Sequence, residues 1–207
     1  YFIACCLVSL MSSGLLKAGI GQTMDSRPLF PGQVSTEIRW SILTCLIYAV
    51  CMWGLFTITP VNSSDSNAII LLKFVAFLIF YDFCIYLIHR GLHSSHLIRF
   101  HSRHHRSVRV TPFSALSLHP VEALLNQVPY FMFFAFVPLS HPVIIAFYCW
   151  LMVGTAIGHS NYNPFGNFSE TNFFSRYSRF HQLHHQKPKG NYGFVGNHWD
   201  VVFGTQH

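Results

Sequence analysis

The sequence predicts an all-α integral membrane protein, a small bundle of about four transmembrane helices. Three observations predict it: composition, the length of the apolar stretches, and the placement of the basic residues. Of 207 residues, 51% are hydrophobic, 16% aromatic and only 10% charged, against about 25% charged in a typical soluble domain. Mean hydropathy is +0.36. The six cysteines lie singly or side by side within apolar runs and form no CxxC pair, which reads as small buried hydrophobes rather than a disulfide framework.

Five apolar stretches follow one another. Phe2 to Leu16 is short. Trp40 to Pro60 and Ala68 to Ile88 each reach the roughly 20 residues that span a hydrocarbon core. Pro120 to Pro138 and Pro142 to Ile157 are separated only by the tight "LSH" at 139–141, which reads as the turn of a helical hairpin whose two arms either span together or enter the bilayer and return. The organisation expected is therefore an N-terminal part, 1–67, with the first spans and their connecting loop, and a second unit, 68–207.

The basic residues orient the spans. Nine of the thirteen Lys and Arg fall in 90–109 and 176–189, outside the apolar stretches. With 89–119 in the cytoplasm, 158–207 is cytoplasmic as well. Lys17, Arg27, Arg39 and the nine clustered residues then share that side, as the positive-inside rule requires. Lys73 is left to snorkel near the outer end of the third stretch. This placement excludes nucleic acid as the partner behind the net charge of +6.

Both basic segments are rich in histidine. His89 and His93 are four apart, one helical turn on one face. His101, His104 and His105 fall at i, i+3 and i+4, and "HQLHH" repeats that spacing with His181, His184 and His185. Imidazole is the commonest protein ligand for transition metals and suits iron, zinc, copper and nickel. Eight ligands exceed the four of one tetrahedral site and match two metals with open positions.

These segments resemble the fatty acid hydroxylase and sterol desaturase superfamily of membrane di-metal oxygenases. The resemblance runs over about 82–205. It rests on "DFCIYLIHRGLH" at 82–93, "HSRHH" at 101–105, "SLHPVEAL" at 117–124, "GHSNYN" at 158–163 and "HQLHHQKPKGNYGFVGNHWDVVFGT" at 181–205. It implies a cytosolic helical cap over the bundle, holding a histidine-rich di-metal site. Carried over by position, the eight box histidines match catalytic metal ligands and His159 matches a ninth. Asn163 stands where some members place a further histidine, so it is expected to reach the site through water. His119 is expected to line the site. His96, His141, His198 and His207 are outside the pattern.

Three carboxylates adjoin the boxes. Asp82 shares a helix face with His89 and is expected to orient a ligand imidazole, since a bare carboxylate in a membrane helix needs a partner. Asp200 is expected to orient a cap histidine or to pair with an arginine. Glu122, after Pro120, reads as an acid in the first helical turn complementing the helix dipole.

The resemblance implies two iron ions (zinc being accepted by the same ligands), O2 as co-substrate, and a lipid substrate, a fatty acyl chain or a sterol, that is hydroxylated or desaturated. The chain has no GxGxxG, CxxCH, iron–sulfur or His-Pro-Gly-Gly segment. Electrons are therefore expected from an external donor of cytochrome b5 or ferredoxin type with its reductase. The setting expected is the endoplasmic reticulum if the chain is eukaryotic, or the inner membrane if bacterial, with the metal site facing the cytoplasm. A metal transporter, a zinc hydrolase and a non-catalytic lipid-binding protein are the rival readings. A transporter would hold its ligands mid-membrane, whereas these fall at span ends.

Overall fold

The structure, a computed structural model, describes residues 1–164 and 173–206, the side chains of 173–178 excepted. Arg176, part of the second basic cluster, and His207 therefore lie outside the described side chains. The helices are α1 (Phe2–Lys17), α2 (Gln33–Ile58), α3 (Asn67–Leu92), α4 (Ile98–His101), α5 (Pro120–Leu125), α6 (Val128–Phe134), α7 (His141–Gly158), α8 (Phe173–Gln186) and α9 (His198–Val202). Single 3-10 turns cover His104–Arg106 and Pro112–Leu116.

Among the described residues three helices are long and apolar enough to cross a membrane: α2, α3 and α7. At about 1.5 Å per residue the first two are about 39 Å long and α7 about 27 Å. The amphipathicity of α2 is inverted. The buried stripe of α2 is Gln33, Glu37, Ser41, Thr44, Tyr48 and Leu55, whereas Val50 and Trp53 point outward with 67% and 71% of their surface exposed. A water-soluble helix shows the opposite arrangement. Polar groups turned inward and apolar groups outward suit a helix whose solvent is lipid.

Helix ends follow local chemistry. Pro60, just past the end of α2, cannot continue it. The Ser66 hydroxyl accepts from the Ile69 amide and starts α3. The chain leaves α3 at His93 and makes a short connection to α4.

The fourth apolar stretch differs from the span expected over Pro120 to Pro138. It forms two short helices, α5 and α6, separated at Asn126–Gln127. Pro129 has no amide hydrogen for the Leu125 carbonyl and its ring crowds that position, so one helix cannot run through. Gln127 caps the break and accepts from the Tyr148 hydroxyl at 2.7 Å. The stretch still runs between the two ends of the bundle. Glu122 meets α4 at one end, and at the other the Pro138 carbonyl accepts from Lys73 Nζ, which also pairs with Asp65.

The all-helical expectation is also modified by a two-residue antiparallel ladder, β1 (Gln22–Thr23) with β2 (Tyr162–Asn163). It fastens the loop between α1 and α2 to the segment after α7. Asn161, at φ 54°, accepts from the Asp25 amide and donates to the Asp25 carbonyl.

Packing is aromatic. Phe77, fully buried, contacts Tyr81, Tyr130, Phe133, Phe134 and Phe147 from α3, α6 and α7. All six cysteines are free. At the other end, buried Glu37 of α2 accepts from Gln33, Ser107 and Thr111, tying α2 to the segment that follows the first histidines. The start of α2 and the C-terminal ends of α3 and α7 thus meet at one end of the bundle.

Candidate metal centre

Among the described residues nine histidines collect at that end, in two groups. His89, His93, His101, His105 and His184 form one; His104, His159, His181 and His185 form the other. Within each group one ligand atom per residue lies within 4.8 Å of all the rest. The helices explain how each arrives. His89 sits in the last turn of α3 and His93 caps it. His159 caps α7. The HxxHH at 101–105 is not one helix: His101 ends α4, and His104 and His105 open a 3-10 turn.

Each HxxHH is divided between the groups, and the division is reversed between them. His101 and His105 join the first group and His104 the second, whereas His181 and His185 join the second and His184 the first. In α8, positions i and i+4 make one row and i+3 its neighbour, so one helical turn serves two adjacent sites; at 101–105 the end of α4 and the 3-10 turn after it make the same division. The groups abut: ring centroids of His105 and His185 are 4.8 Å apart, and those of His101 and His104 are 5.3 Å apart.

The protons decide what the groups can hold. His89 Nδ1 donates to the Tyr192 carbonyl at 2.8 Å and His184 Nδ1 to the Gly190 carbonyl at 2.7 Å. His159 Nδ1 donates to the Thr155 carbonyl at 2.9 Å, and His101 Nδ1 to the Glu122 carboxylate at 2.7 Å. In a neutral ring that leaves Nε2 with a lone pair. Yet His89 Nε2 and His101 Nε2 face each other at 3.0 Å. Neither has a proton to give, so this is no hydrogen bond but two lone pairs aimed at common ground. His184 Nε2 approaches the Nε2 atoms of His93 and His105 at 3.0 and 3.1 Å. In the second group His181 Nε2 lies 2.7 Å from His159 Nε2 and 3.0 Å from His185 Nε2. Two nitrogens bound about 2.1 Å from one cation and at right angles would be about 3.0 Å apart. The donor set fits a transition metal in each group.

Electrostatics agree. Burial, followed by repulsion from neighbouring imidazoles, holds His101, His104, His181, His184 and His185 well below the ordinary histidine range. Burial takes His105 down to about 3 and His159 to about 4. The rings are neutral at physiological pH, the form that ligates metals.

The supporting residues are placed differently from expectation. Glu122 does lie in the first turn of α5, but its role is larger than a dipole partner: it is the buried carboxylate behind His101. Asp82 does not touch a ligand imidazole. Its carboxylate accepts from the Val195 amide at 2.7 Å and Trp199 Nε1 at 2.8 Å and pairs with His198, so it satisfies its charge by anchoring the C-terminal segment to α3. Asp200 acts one step further out. It accepts from the amides of Tyr192 and Gly193 and from the Thr205 hydroxyl, fixing the turn whose carbonyls receive His89 and His184. Gly190 and Asn191 adopt positive φ in that turn. His119 caps α5, its Nδ1 accepting from the Val121 amide, and packs on Phe100; it is not among the residues around the cavity described next. Asn163 is buried in β2, paired with Gln22. The acceptors Thr155, Gly190 and Tyr192 act through backbone carbonyls and carry no side-chain signal in the sequence.

A cavity opens onto both groups, touching His89 and His101 of the first and His104, His159 and His181 of the second. Away from the histidines most of its wall is apolar, including Ile85, Leu92, Leu116, Leu118, Leu151 and Phe194, with Tyr48, Tyr81, Glu122, Asn126 and Thr155 adding polar groups.

A family model described as fatty acid hydroxylase matches residues 74–205. The chain belongs to that family. Among its relatives, the Delta(7)-sterol 5(6)-desaturase of Leptosphaeria maculans is 31% identical over 130 residues, 62% of this chain and 35% of that protein. Lathosterol oxidase of Rattus norvegicus is 32% identical over 140 residues, 66% of this chain and 45% of that protein. The mouse lathosterol oxidase is 33% identical over the same length. The chain spans less than half the length of these curated relatives. No solved structure gives a significant match.

Proposed function

We propose that residues 68–207 are the catalytic unit of a membrane lipid oxidoreductase, a hydroxylase or desaturase that uses O2 and external electrons. The observation that carries this is the meeting of nine neutral imidazoles in two groups, five of which open onto a largely apolar cavity. His89, His93, His101, His105 and His184 would hold one iron ion, and His104, His159, His181 and His185 the second. Bound there, the metals would supply the O2 chemistry that attacks an unactivated C–H bond, which no side chain does at neutral pH.

The chain's own part is to place and to exclude. The cavity walls hold an alkyl or ring skeleton against the histidines and keep water away. Glu122 and the carbonyls of Thr155, Gly190 and Tyr192 hold the Nδ1 protons of four ligands, so Nε2 stays available. The relatives named for sterol 5(6)-desaturation and lathosterol oxidation put a sterol first among substrates to try. Ligands at helix ends, rather than mid-span, favour an enzyme over a metal transporter.

The electron donor is a separate acidic protein of cytochrome b5 or ferredoxin type. Arg90, Arg99, Arg106, Lys187 and Lys189 are exposed around the histidine end and offer it complementary charge. The positive-inside distribution supports a cytoplasmic orientation for that end, on the endoplasmic reticulum or a bacterial inner membrane. Lipid mass spectrometry of cells with and without the protein tests the proposal. A product that requires O2 and reductant supports it; a metal-replete protein that oxidises no lipid refutes it.

A further inference from the structure

The two metal groups are braced by different means. In the first, Glu122 and the carbonyls of Tyr192 and Gly190 receive the Nδ1 protons of His101, His89 and His184. In the second, Nδ1 of His104 and of His185 finds no hydrogen-bond partner among the described residues. Those two rings depend for their placement on the segments that carry them. The segments of the second group meet at Asp25, in the loop between α1 and α2. Asp25 is 5% exposed. Its amide and carbonyl exchange hydrogen bonds with the side chain of Asn161, two residues after His159. Its Oδ2 accepts from Gln182 Nε2 at 3.3 Å and from Gln186 Nε2 at 3.1 Å. These glutamines directly follow His181 and His185. Gln182 carries the connection on to the chain after His104: its Nε2 donates to the Val108 carbonyl at 2.8 Å and its Oε1 accepts from the Val110 amide at 3.3 Å.

Every ligand of the second group therefore lies within four residues of a contact made by Asp25 or Gln182. The helix geometry separates this brace from the first group. At about 100° per residue, Gln182 lies about 100° to one side of His181 on α8 and His184 about 60° to the other. The glutamines thus flank the row of His181 and His185, and His184 has its own support in the Gly190 carbonyl. Charge alone does not require them. Arg27 already pairs with the Asp25 carboxylate at 2.6 Å from the solvent side, so the two amides from α8 add placement rather than neutralisation.

Resting on the two-metal reading, we infer that Asp25 is a positioning residue for the second metal. Through Gln182 and Gln186 it sets the rotation of α8, and through Asn161 and Gln182 it keeps His159 and His104 against that helix. It acts through these neighbours rather than on an imidazole. The loop that supplies it precedes residues 74–205, so the second metal site takes a part from the N-terminal portion of the chain.

The test is stepwise competition of the zinc-loaded protein in phospholipid nanodiscs against a chelator of known affinity. Asp25→Ala is expected to weaken one of two equivalents about tenfold, the low end for loss of an outer support, and to leave the other within about threefold. Asp25→Asn keeps an acceptor oxygen for the glutamines and should restore most of that loss. Arg27→Ala removes the ion pair but not the acceptor, so both equivalents should stay as in the wild type. In a Gln182→Ala, Gln186→Ala background Asp25→Ala should cost nothing further, because residues that act through one another are not additive. Hydrogen exchange of the 179–186 amides in the metal-free protein reads the fold separately. Faster exchange there with both equivalents retained makes Asp25 a contact of the fold alone and overturns the proposal, as does equal weakening of the two equivalents or an Asp25→Ala effect that persists without the glutamines. A wild type that holds a single equivalent overturns the two-metal reading and this proposal together. Metal retention needs no turnover, so a second equivalent that depends on Asp25 in a protein that oxidises no lipid keeps the brace and refutes only the oxidative reading.

Discussion

Glu122 offers the sharpest test of how the centre is held. Its carboxylate receives His101 Nδ1 at 2.7 Å, with side-chain exposures of 4% and 2%. Glu122→Ala removes the acceptor and leaves a buried Nδ1–H with nothing to bind, so the ring loses its orientation and Nε2 its basicity. Removing such a support costs about 10–100-fold in metal affinity, which is about 1.4–2.8 kcal/mol. Glu122→Gln keeps an acceptor oxygen but no charge, so it should fall between the wild type and alanine. The assay is competition of metal-loaded protein against a chelator of known affinity, read by elemental analysis. Release should be confined to one of two metal equivalents, because His101 belongs to one group only. If both variants retain two equivalents with affinity within about threefold of wild type, the assignment of Glu122 as a positioning residue is wrong.

Other expectations follow from the same geometry. His104→Ala removes one of four ligands from the second group, so it should abolish lipid oxidation and lower bound metal towards one equivalent while the protein still inserts; retained activity would remove His104 from the ligand set. Gly193→Ala would bring a Cβ to 2.0 Å from the Gly196 carbonyl and 2.9 Å from Asp200 Oδ2. The turn must open, costing about 2–3 kcal/mol, and chelator release of the first metal should accelerate, whereas Gly91→Ala, which meets nothing within 4 Å, should be neutral. Asp25 is held below the usual carboxylate range chiefly by the Arg27 hydrogen bond, with Gln186 adding to it. A depressed carboxylate stabilises the fold above its unfolded value, about 3.9, and that contribution is lost as pH falls through the lower folded value. Asp25→Asn should flatten the loss of thermal stability below about pH 4; an unchanged pH profile would show that the loop contributes nothing there.

The nine histidines were legible because helical spacing and span ends are local properties of sequence. His89 and His93, or His181 and His185, declare themselves by a turn's separation. What spacing could not show is that i and i+3 positions of one box serve different groups, since that depends on α4 and α8 facing each other. Glu122 was visible as a first-turn acid, but its partner is 21 residues away on another helix. Asp82 was correctly seen to need a partner, and the wrong one was chosen because the C-terminal segment carries no signal of where it docks. The fourth stretch misled through composition: its apolar residues are continuous, and Pro129 at position 129, after Asn126 and Gln127, is what divides it.

The division of the histidines also sets an order of events. His89 and His93 end a membrane helix, yet the carbonyl that orients His89 belongs to Tyr192, and Asp82 in that same helix waits for Val195 and Trp199. More than a hundred residues of synthesis separate the two halves of each contact. Neither metal group can close until the chain has passed residue 185, and the first is not braced until Asp200 has emerged. The bundle is thus inserted well before it can hold a metal. During that interval the first group has His89, His93, His101 and His105 in place and lacks His184, and the second has only His104 and His159.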